Sequence, residues 1–280
     1  MRGIYAKQED GNYSLGSCAV ALNSNSQASG ALSYAEGENT TASGDVSHAE
    51  GTRTTASGPI SHAEGSNTTA SGSVSHAEGE HTIALGNISH AEGEYTTASG
   101  AMSHTEGQYT TTNSNAIGSH AEGKGYSSEF SIQANGAGSH AEGYISGPSA
   151  TIIASGVGSH AEGLVDANNS ILASGSGSHA EGNNTQATGS YAHAEGSKTT
   201  ASGPMSHAEG NQTTASGINS HAGGTNTTAQ RKSQTVIGEY NKLDTQGTTT
   251  TRGKYVFIVG NGTGTNNRSN ALAVTWDGNV

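Results

Sequence analysis

The chain has 280 residues and a formal net charge of −12 at pH 7, with 23 Asp and Glu residues against 11 Lys and Arg residues. Hydrophobic residues make up 30% of it and aromatic residues 5%, which is too little for a conventional core of large side chains. The acidic charge argues against nucleic acid and against an anionic membrane as partners. A single cysteine, Cys18, excludes an intrachain disulfide.

Residues 1–18 form an N-terminal lead-in before the regular part of the sequence. The opening stretch MRGIYAKQEDGNYSLG contains no apolar segment. No run of 18 apolar residues occurs anywhere in the chain. The sequence therefore predicts neither a signal peptide nor insertion into a membrane.

Residues 19–230 are organised by a 14-residue repeat, for example SHAEGTRTTASGPI at 47–60. Twelve of the 13 histidines occupy the same position of this repeat, and Tyr34 takes that position one repeat earlier. In the segments SHAEG and TTASG, small residues alternate with larger or more polar ones. This alternation predicts two five-residue strands per repeat, with the small residues pointing inward.

Stacking of such coils about 4.8 Å apart gives two parallel sheets close enough for only Ser, Thr, Ala and Gly between them. The predicted fold is therefore an all-β parallel β-roll, a solenoid of coils of about 14 residues. Most of its stability is expected from the backbone hydrogen bonds between coils.

The His and Glu residues of each repeat lie two apart on the outer face of the first strand. A His and a carboxylate in this arrangement could chelate Zn or Ni. Because the pair recurs in eleven complete copies without a further fixed ligand, we expect a structural column with no metal or cofactor. Pairing with Glu is expected to raise the pKa of His, so that stability falls as pH rises. The residues assigned to the column are His48, Glu50, His62, Glu64, His76, Glu78, His90, Glu92, His207 and Glu209.

The spacing between successive repeats lengthens in the middle of the chain. Enlarged loops are predicted at 124–131, 144–151 and 164–170, on the same edge of consecutive coils. They carry large side chains that suit sugar rings or protein contacts. The alternative is that these loops lock neighbouring chains together. The candidate binding residues are Tyr126, Phe130, Tyr144, Ile145 and Leu164.

Residues 231–280 differ in composition from the repeats. The segments KYVFIVG at 254–260 and NALAVTW at 270–276 are typical of strands, and they are joined by a connection rich in Gly and Asn. We predict a small β-rich cap at the C-terminal end.

A Ser-x-Ala-x-Gly word in coils of about 14 residues, over about 19–230, resembles the head repeat of the YadA-like trimeric adhesins. The resemblance implies a left-handed parallel β-roll and a homotrimer of chains packed side by side. It also implies that the column positions face the threefold axis, where that family has Val and Ile. The spelling FIVGNGT…RSNALAVTWDGN near the C-terminus resembles fibre and appendage proteins of phages and prophages of Gram-positive bacteria.

These features predict a homotrimeric rod that acts as a fibre segment of a phage or phage-like particle and presents host-binding loops. Its location would be the virion, and its receptor a cell-surface glycan or protein. The alternative is the head of a bacterial trimeric surface adhesin, outside the cell. A glycan depolymerase using Glu129 or Asp166 is a third class, but the loops carry too few acids for a carboxylate pair. We therefore predict no catalytic residue and no enzymatic activity.

Overall fold

The computed structural model describes residues 18–23 and 25–280, and two compact units divide the chain after Gly138. The predicted lead-in therefore lies almost wholly outside the described residues. Both units consist of β-strands and turns, with no helix in the parts of the chain that are described. Accordingly, those parts contain no helix of the length and hydropathy that a membrane crossing requires.

The first unit is a stack of coils in which each repeat contributes one longer and one shorter strand. The longer strands pair in parallel, so that Tyr34 lies beside His48 and His48 beside His62. They are Val20–Leu22, Tyr34–Glu38, His48–Thr52, His62–Ser66, His76–Glu80, His90–Glu94, His104–Thr105 and His120–Lys124. The shorter strands are Gln27–Ala28, Thr41–Ala42, Thr55–Ala56, Thr69–Ala70, Ile83–Ala84, Thr97–Ala98, Thr110–Thr112 and Ile132–Ala134.

The second unit repeats this arrangement. Its longer strands are His140–Ile145, His160–Val165, His179–Asn183, His193–Ser197, His207–Asn211, His221–Thr225 and Thr235–Glu239. Its shorter strands are Thr151–Ala154, Ser170–Ala173, Gln186–Ala187, Thr200–Ala201, Thr214–Ala215 and Thr228–Ala229. The parallel pairing in single-repeat register confirms the predicted β-roll.

The core between the two sheets consists of small residues, because the coils are too thin for anything larger. Ala49, Ala56 and Thr54 are completely buried, and Ser47 is 2% exposed. Larger residues enter only in the longer coils, where Ile152 is completely buried. The inward direction of Ser, Ala and Thr agrees with the alternation in the sequence.

Two details of the coil differ from the sequence prediction. The second strand has two residues, Thr55–Ala56, rather than five, because Ser57 and Gly58 both donate to the carbonyl of Ala70 and the chain turns there. Gly51 was predicted to point inward but is exposed, with a φ of 104°. It lies in a conformation that side chains other than glycine rarely adopt.

Each coil turns at two residues that have positive φ although they are not glycine. In one repeat these are Arg53, with φ 56°, and Ile60, with φ 58°. Both donate their amide to the preceding coil, to the carbonyls of Glu38 and Asp45, at 2.8 Å. Because a β-branched residue is strained at positive φ, the hydrogen bonds between coils must offset this cost.

The C-terminal segment continues the longer-strand sheet and then closes it. Thr235–Glu239 pairs in parallel with Tyr255–Asn261, which pairs in antiparallel with Asn270–Thr275. The boundary predicted at 231 is therefore not a break in the sheet. Asp244 is 2% exposed and accepts from the amide of Tyr255 at 3.1 Å, which fixes the long connection between the last strands.

Candidate functional site

The His–Glu column is the set of His and Glu side chains on the outer face of the longer strands. Alternation along the strand directs His48 and Glu50 outward on either side of the buried Ala49. The parallel register then places each His beside the His of the next coil. The side chains of His62 and Glu50 are 35% and 33% exposed, so the column is half-buried even within one chain.

The imidazole rings of the column stack face to face. In the first unit the ring centroids are 4.7 to 4.8 Å apart from His48 to His120, with interplanar angles of at most 3°. In the second unit they are 4.8 to 5.0 Å apart from His140 to His221. The spacing of the coils sets this distance, because identical residues occupy identical positions in neighbouring strands.

Each imidazole also approaches the carboxylate of the preceding coil in the same chain. The Nε2 atom of His62 is 3.4 Å from Oε1 of Glu50, and the same atoms of His179 and Glu162 are 3.1 Å apart. The corresponding distances elsewhere in the column run from 3.1 to 3.8 Å. All ten residues predicted for the column lie on this face.

The column lowers the pKa of histidine where a shift is resolved. Burial is the main cause of the lowered pKa of His76, and the charges of the neighbouring His62 and His90 add to it. The pKa of His193 is lowered for the same reasons, burial first. The predicted rise of the His pKa is therefore wrong at these two positions, because burial and like charges outweigh the attraction of Glu.

The carboxylates of the column share hydrogen bonds, which shifts neighbouring pKa values in opposite directions. The pKa of Glu106 is raised, first by its hydrogen bond to Glu122 and then by burial. The pKa of Glu92 is lowered: burial, the largest influence, acts upward, but hydrogen bonds from Glu78 and His104 outweigh it. The Glu residues therefore reduce their mutual repulsion by unequal proton affinity.

The column begins and ends with departures from the His–Glu pattern. Tyr34 occupies the first His position, donates to Oε2 of Glu36 at 2.9 Å, and meets the ring of His48 edge-on. Its pKa is raised, mainly by this hydrogen bond. At the other end His221 still pairs with Glu209, but the Glu position of its own coil is Gly223.

A shallow groove of about 640 Å³ runs beside the Glu residues of the second unit. Its floor is made of glycines, including Gly182 and Gly196, which have positive φ. Acidic side chains form its wall, namely Glu162, Glu181, Glu195 and Glu209. The groove therefore combines negative charge with backbone that is open to an approaching group.

The enlarged loop of the first unit presents two aromatic residues. Tyr126 is 50% exposed, and Phe130 is partly buried. The amide of Tyr126 donates to the carbonyl of Phe130 at 2.9 Å, which closes a tight loop over 126–130. Glu129 lies in the same loop and is exposed.

The two enlarged loops of the second unit lie side by side. Tyr144 pairs with Leu164 in the parallel register, and they are 43% and 50% exposed. The hydroxyl of Ser146 donates to Oδ1 of the exposed Asp166 at 3.1 Å. Three of the five predicted binding residues, Tyr126 and these two, are thus well exposed.

Ile145 does not belong to this exposed set. It is 1% exposed, because the strand His140–Ile145 extends one residue beyond Tyr144 and the alternation turns Ile145 inward. There it lies beside Val165, which is completely buried. Its prediction as a binding residue is therefore corrected to a core role.

An exposed apolar column at one turn of the coil was missed by the sequence analysis. Its members have positive φ, precede each His strand by two residues and recur every 14 residues. That period was the available signal. In the first unit they are Leu32, Val46, Ile60, Val74, Ile88 and Met102, each 49 to 61% exposed.

Comparison with protein families matches two segments of the chain, 35–103 and 194–229, through overlapping copies of the YadA head domain repeat. The chain carries YadA head domain repeats. The matched segments cover less than half of the 280 residues and leave out 104–193, where the coils are longer. Comparison with curated proteins gives no match. The YadA repeats agree with the parallel pairing of small-residue coils observed in both units.

Proposed function

We propose that the protein is the attachment head of a trimeric surface adhesin, formed by three copies of this chain. The YadA head domain repeats carry this proposal. Of the two attachment roles predicted from the sequence, they favour the adhesin over the phage fibre, since the phage resemblance of the C-terminal segment has no counterpart in the comparisons. The proposed location is accordingly the cell surface.

The contact between copies is proposed to involve the His–Glu column and the apolar column that precedes it. The His and Glu side chains are only about one third exposed in a single chain, so little further burial is needed to desolvate them. The apolar column adds side chains such as Ile60 and Ile88, which are 58% and 60% exposed. Contiguous exposed apolar residues of this kind mark protein interfaces.

The mass in solution tests this assembly. Sedimentation equilibrium of the full chain is expected to give three times 27.9 kDa. A variant with Val74→Arg and Ile88→Arg places charge in the apolar column and is expected to reduce the mass towards that of one chain. The matched control is Asn67→Arg with His81→Arg, at the other positive-φ turn, where Arg53 occurs naturally. A monomeric wild type, or equal masses for both variants, would contradict the proposal.

Receptor binding is proposed for the enlarged loops, with a surface glycan or protein as the ligand. Tyr126, Tyr144 and Leu164 supply exposed apolar surface, and Phe130 supports Tyr126. The test is binding to glycan and matrix-protein arrays. Tyr144→Ala with Leu164→Ala is expected to lose binding, while Val157→Ala, at an equally exposed turn, is not. Loss of trimer mass in the loop variant would instead assign these loops to contacts between chains.

We propose no enzymatic activity. Glu129 and Asp166 are exposed, and Asp166 already accepts a hydrogen bond from Ser146. A glycosidase requires two carboxylates at a fixed separation across the scissile bond. The check is an assay for reducing sugar after incubation with surface polysaccharides, in which no release is expected.

A further inference from the structure

We infer that the His–Glu column binds divalent ions of the zinc, nickel and copper class, each ion held by Nε2 of one His and Oε1 of the Glu of the preceding coil. Groups of one Glu and two His whose ligand atoms lie within 4.8 Å of one another recur along the column, as at His48, Glu50 and His62. The inference goes beyond the proposed attachment role and needs only the atoms of one chain for its first two ligands.

The distance between the two donor atoms fits a chelated ion. Zinc binds imidazole nitrogen at about 2.0–2.1 Å and carboxylate oxygen at about 2.0–2.2 Å, so tetrahedral geometry separates the donors by about 3.3 Å. The observed separations are 3.4 Å for His76 and Glu64 and 3.3 Å for His90 and Glu78. An imidazole and a carboxylate together suit these borderline ions better than magnesium or calcium.

The hydrogen bonding of the column leaves this position open to an ion. The Nε2 atoms of His62 and His76 are shielded from water, yet neither completes a hydrogen bond with the nearby carboxylate. A buried polar atom in this state carries a free-energy cost that a ligand removes. A cation would also offset the repulsion between Glu64 and Glu78, which are neighbours in the parallel register.

Successive histidines cannot share one ion without moving. The rings of His62 and His76 are 4.8 Å apart, whereas two nitrogens on one zinc ion are separated by at most about 4.2 Å. Each ion therefore takes one His, one Glu and further ligands from water or from other copies of the chain. Because ions in neighbouring coils repel one another, we expect occupancy of about every second coil.

Zinc titration of the untagged full chain, stripped of metal with a chelator, tests the inference by calorimetry and by metal analysis after dialysis. Several zinc ions per chain are expected to bind saturably. A variant that removes four column carboxylates, Glu162→Gln, Glu181→Gln, Glu195→Gln and Glu209→Gln, is expected to lose about half of them. The control variant removes four exposed acids outside the column, Glu38→Gln, Glu129→Gln, Glu239→Gln and Asp277→Asn, and is expected to keep the wild-type number.

Cobalt provides a second readout that works on the wild-type protein. Visible absorption bands of a nitrogen- and oxygen-ligated Co²⁺ ion are expected on titration and should disappear when zinc is added. Absence of these bands, undiminished binding in the column variant, or equal competition by magnesium would overturn the inference. The mass of the same samples separates the two proposals: trimers without metal sites contradict only this one, and metal-binding monomers contradict only the trimer.

Discussion

The Nε2 atom of His104 lies 3.1 Å from Oε1 of Glu92, which belongs to the preceding coil of the same chain. The ring of His104 also stacks between those of His90 and His120, at 4.8 Å from each. The outer face of the roll is therefore ordered by contacts between identical positions of successive coils. A change at one position removes contacts on both sides of it.

Replacement of His104 by Asn should therefore destabilise the protein. His104→Asn removes the approach to Glu92 and two stacking contacts, and we expect a loss of about 1 to 2 kcal/mol in the free energy of unfolding. The measurement is urea unfolding at fixed protein concentration. His81→Asn is the matched control, because His81 lies outside the column at a positive-φ turn that Asn tolerates. Its expected effect is within about 0.5 kcal/mol. Equal losses in the two variants would contradict a special role of the column.

The close stacking of coils makes some glycines irreplaceable. A Cβ atom on Gly72 would lie 1.9 Å from the carbonyl oxygen of Gly86, which is backbone and cannot move aside. We expect Gly72→Ala to destabilise the protein by roughly 3 kcal/mol or more, measured by thermal unfolding. Gly264→Ala is the control, since a Cβ there meets no atom within 4 Å. A stable Gly72→Ala variant would show that the coils can separate without loss.

Much of the coil could be predicted because one repeat fixes the pattern many times over. The buried direction of Ala49, the parallel pairing of His48 with His62, and the shared face of His and Glu all follow from period-2 alternation and a constant repeat length. The pairing of His62 with a carboxylate of the preceding coil, rather than of its own, could not be read from the sequence. It depends on side-chain rotamers that the alternation leaves free.

Two errors have identifiable physical causes. The second strand was predicted too long because Ser57 continues the alternation in the sequence while its backbone already turns. The pKa of His76 was predicted to rise because pairing with Glu was considered without the neighbouring rings that bury it. Both errors come from treating one coil in isolation.

The burial of Ile145 gives a direct test of the corrected loop assignment. Ile145→Ala removes a side chain that is 1% exposed and packs beside Val165, so we expect a loss of about 2 to 5 kcal/mol in the free energy of unfolding. Leu164→Ala, at a position 50% exposed, should change it by no more than about 0.5 kcal/mol. Denaturant unfolding of both variants measures this difference, and a reversed order would return Ile145 to the surface.

The lowered pKa values of His76 and His193 predict that the protein becomes less stable on acidification. Below the ordinary His pKa of 6.5 the unfolded chain takes up protons that these folded histidines resist, so stability falls as pH falls through this value. Above it both states are neutral at these positions, and the contribution is constant. His76 faces Glu64 and Glu78 as well as His62 and His90, but carboxylates titrate mainly below this range.

The test is urea unfolding between about pH 5.5 and about pH 7.5 with a chelator present, and the expected midpoint is lower at the acidic end. A variant with His76→Gln and His193→Gln should show a smaller dependence on pH, because it removes two of the groups that resist protonation. His81→Gln, which leaves the column intact, should keep the wild-type dependence. A midpoint that rises on acidification would mean that attraction to Glu outweighs burial, and it would restore the direction expected from the sequence.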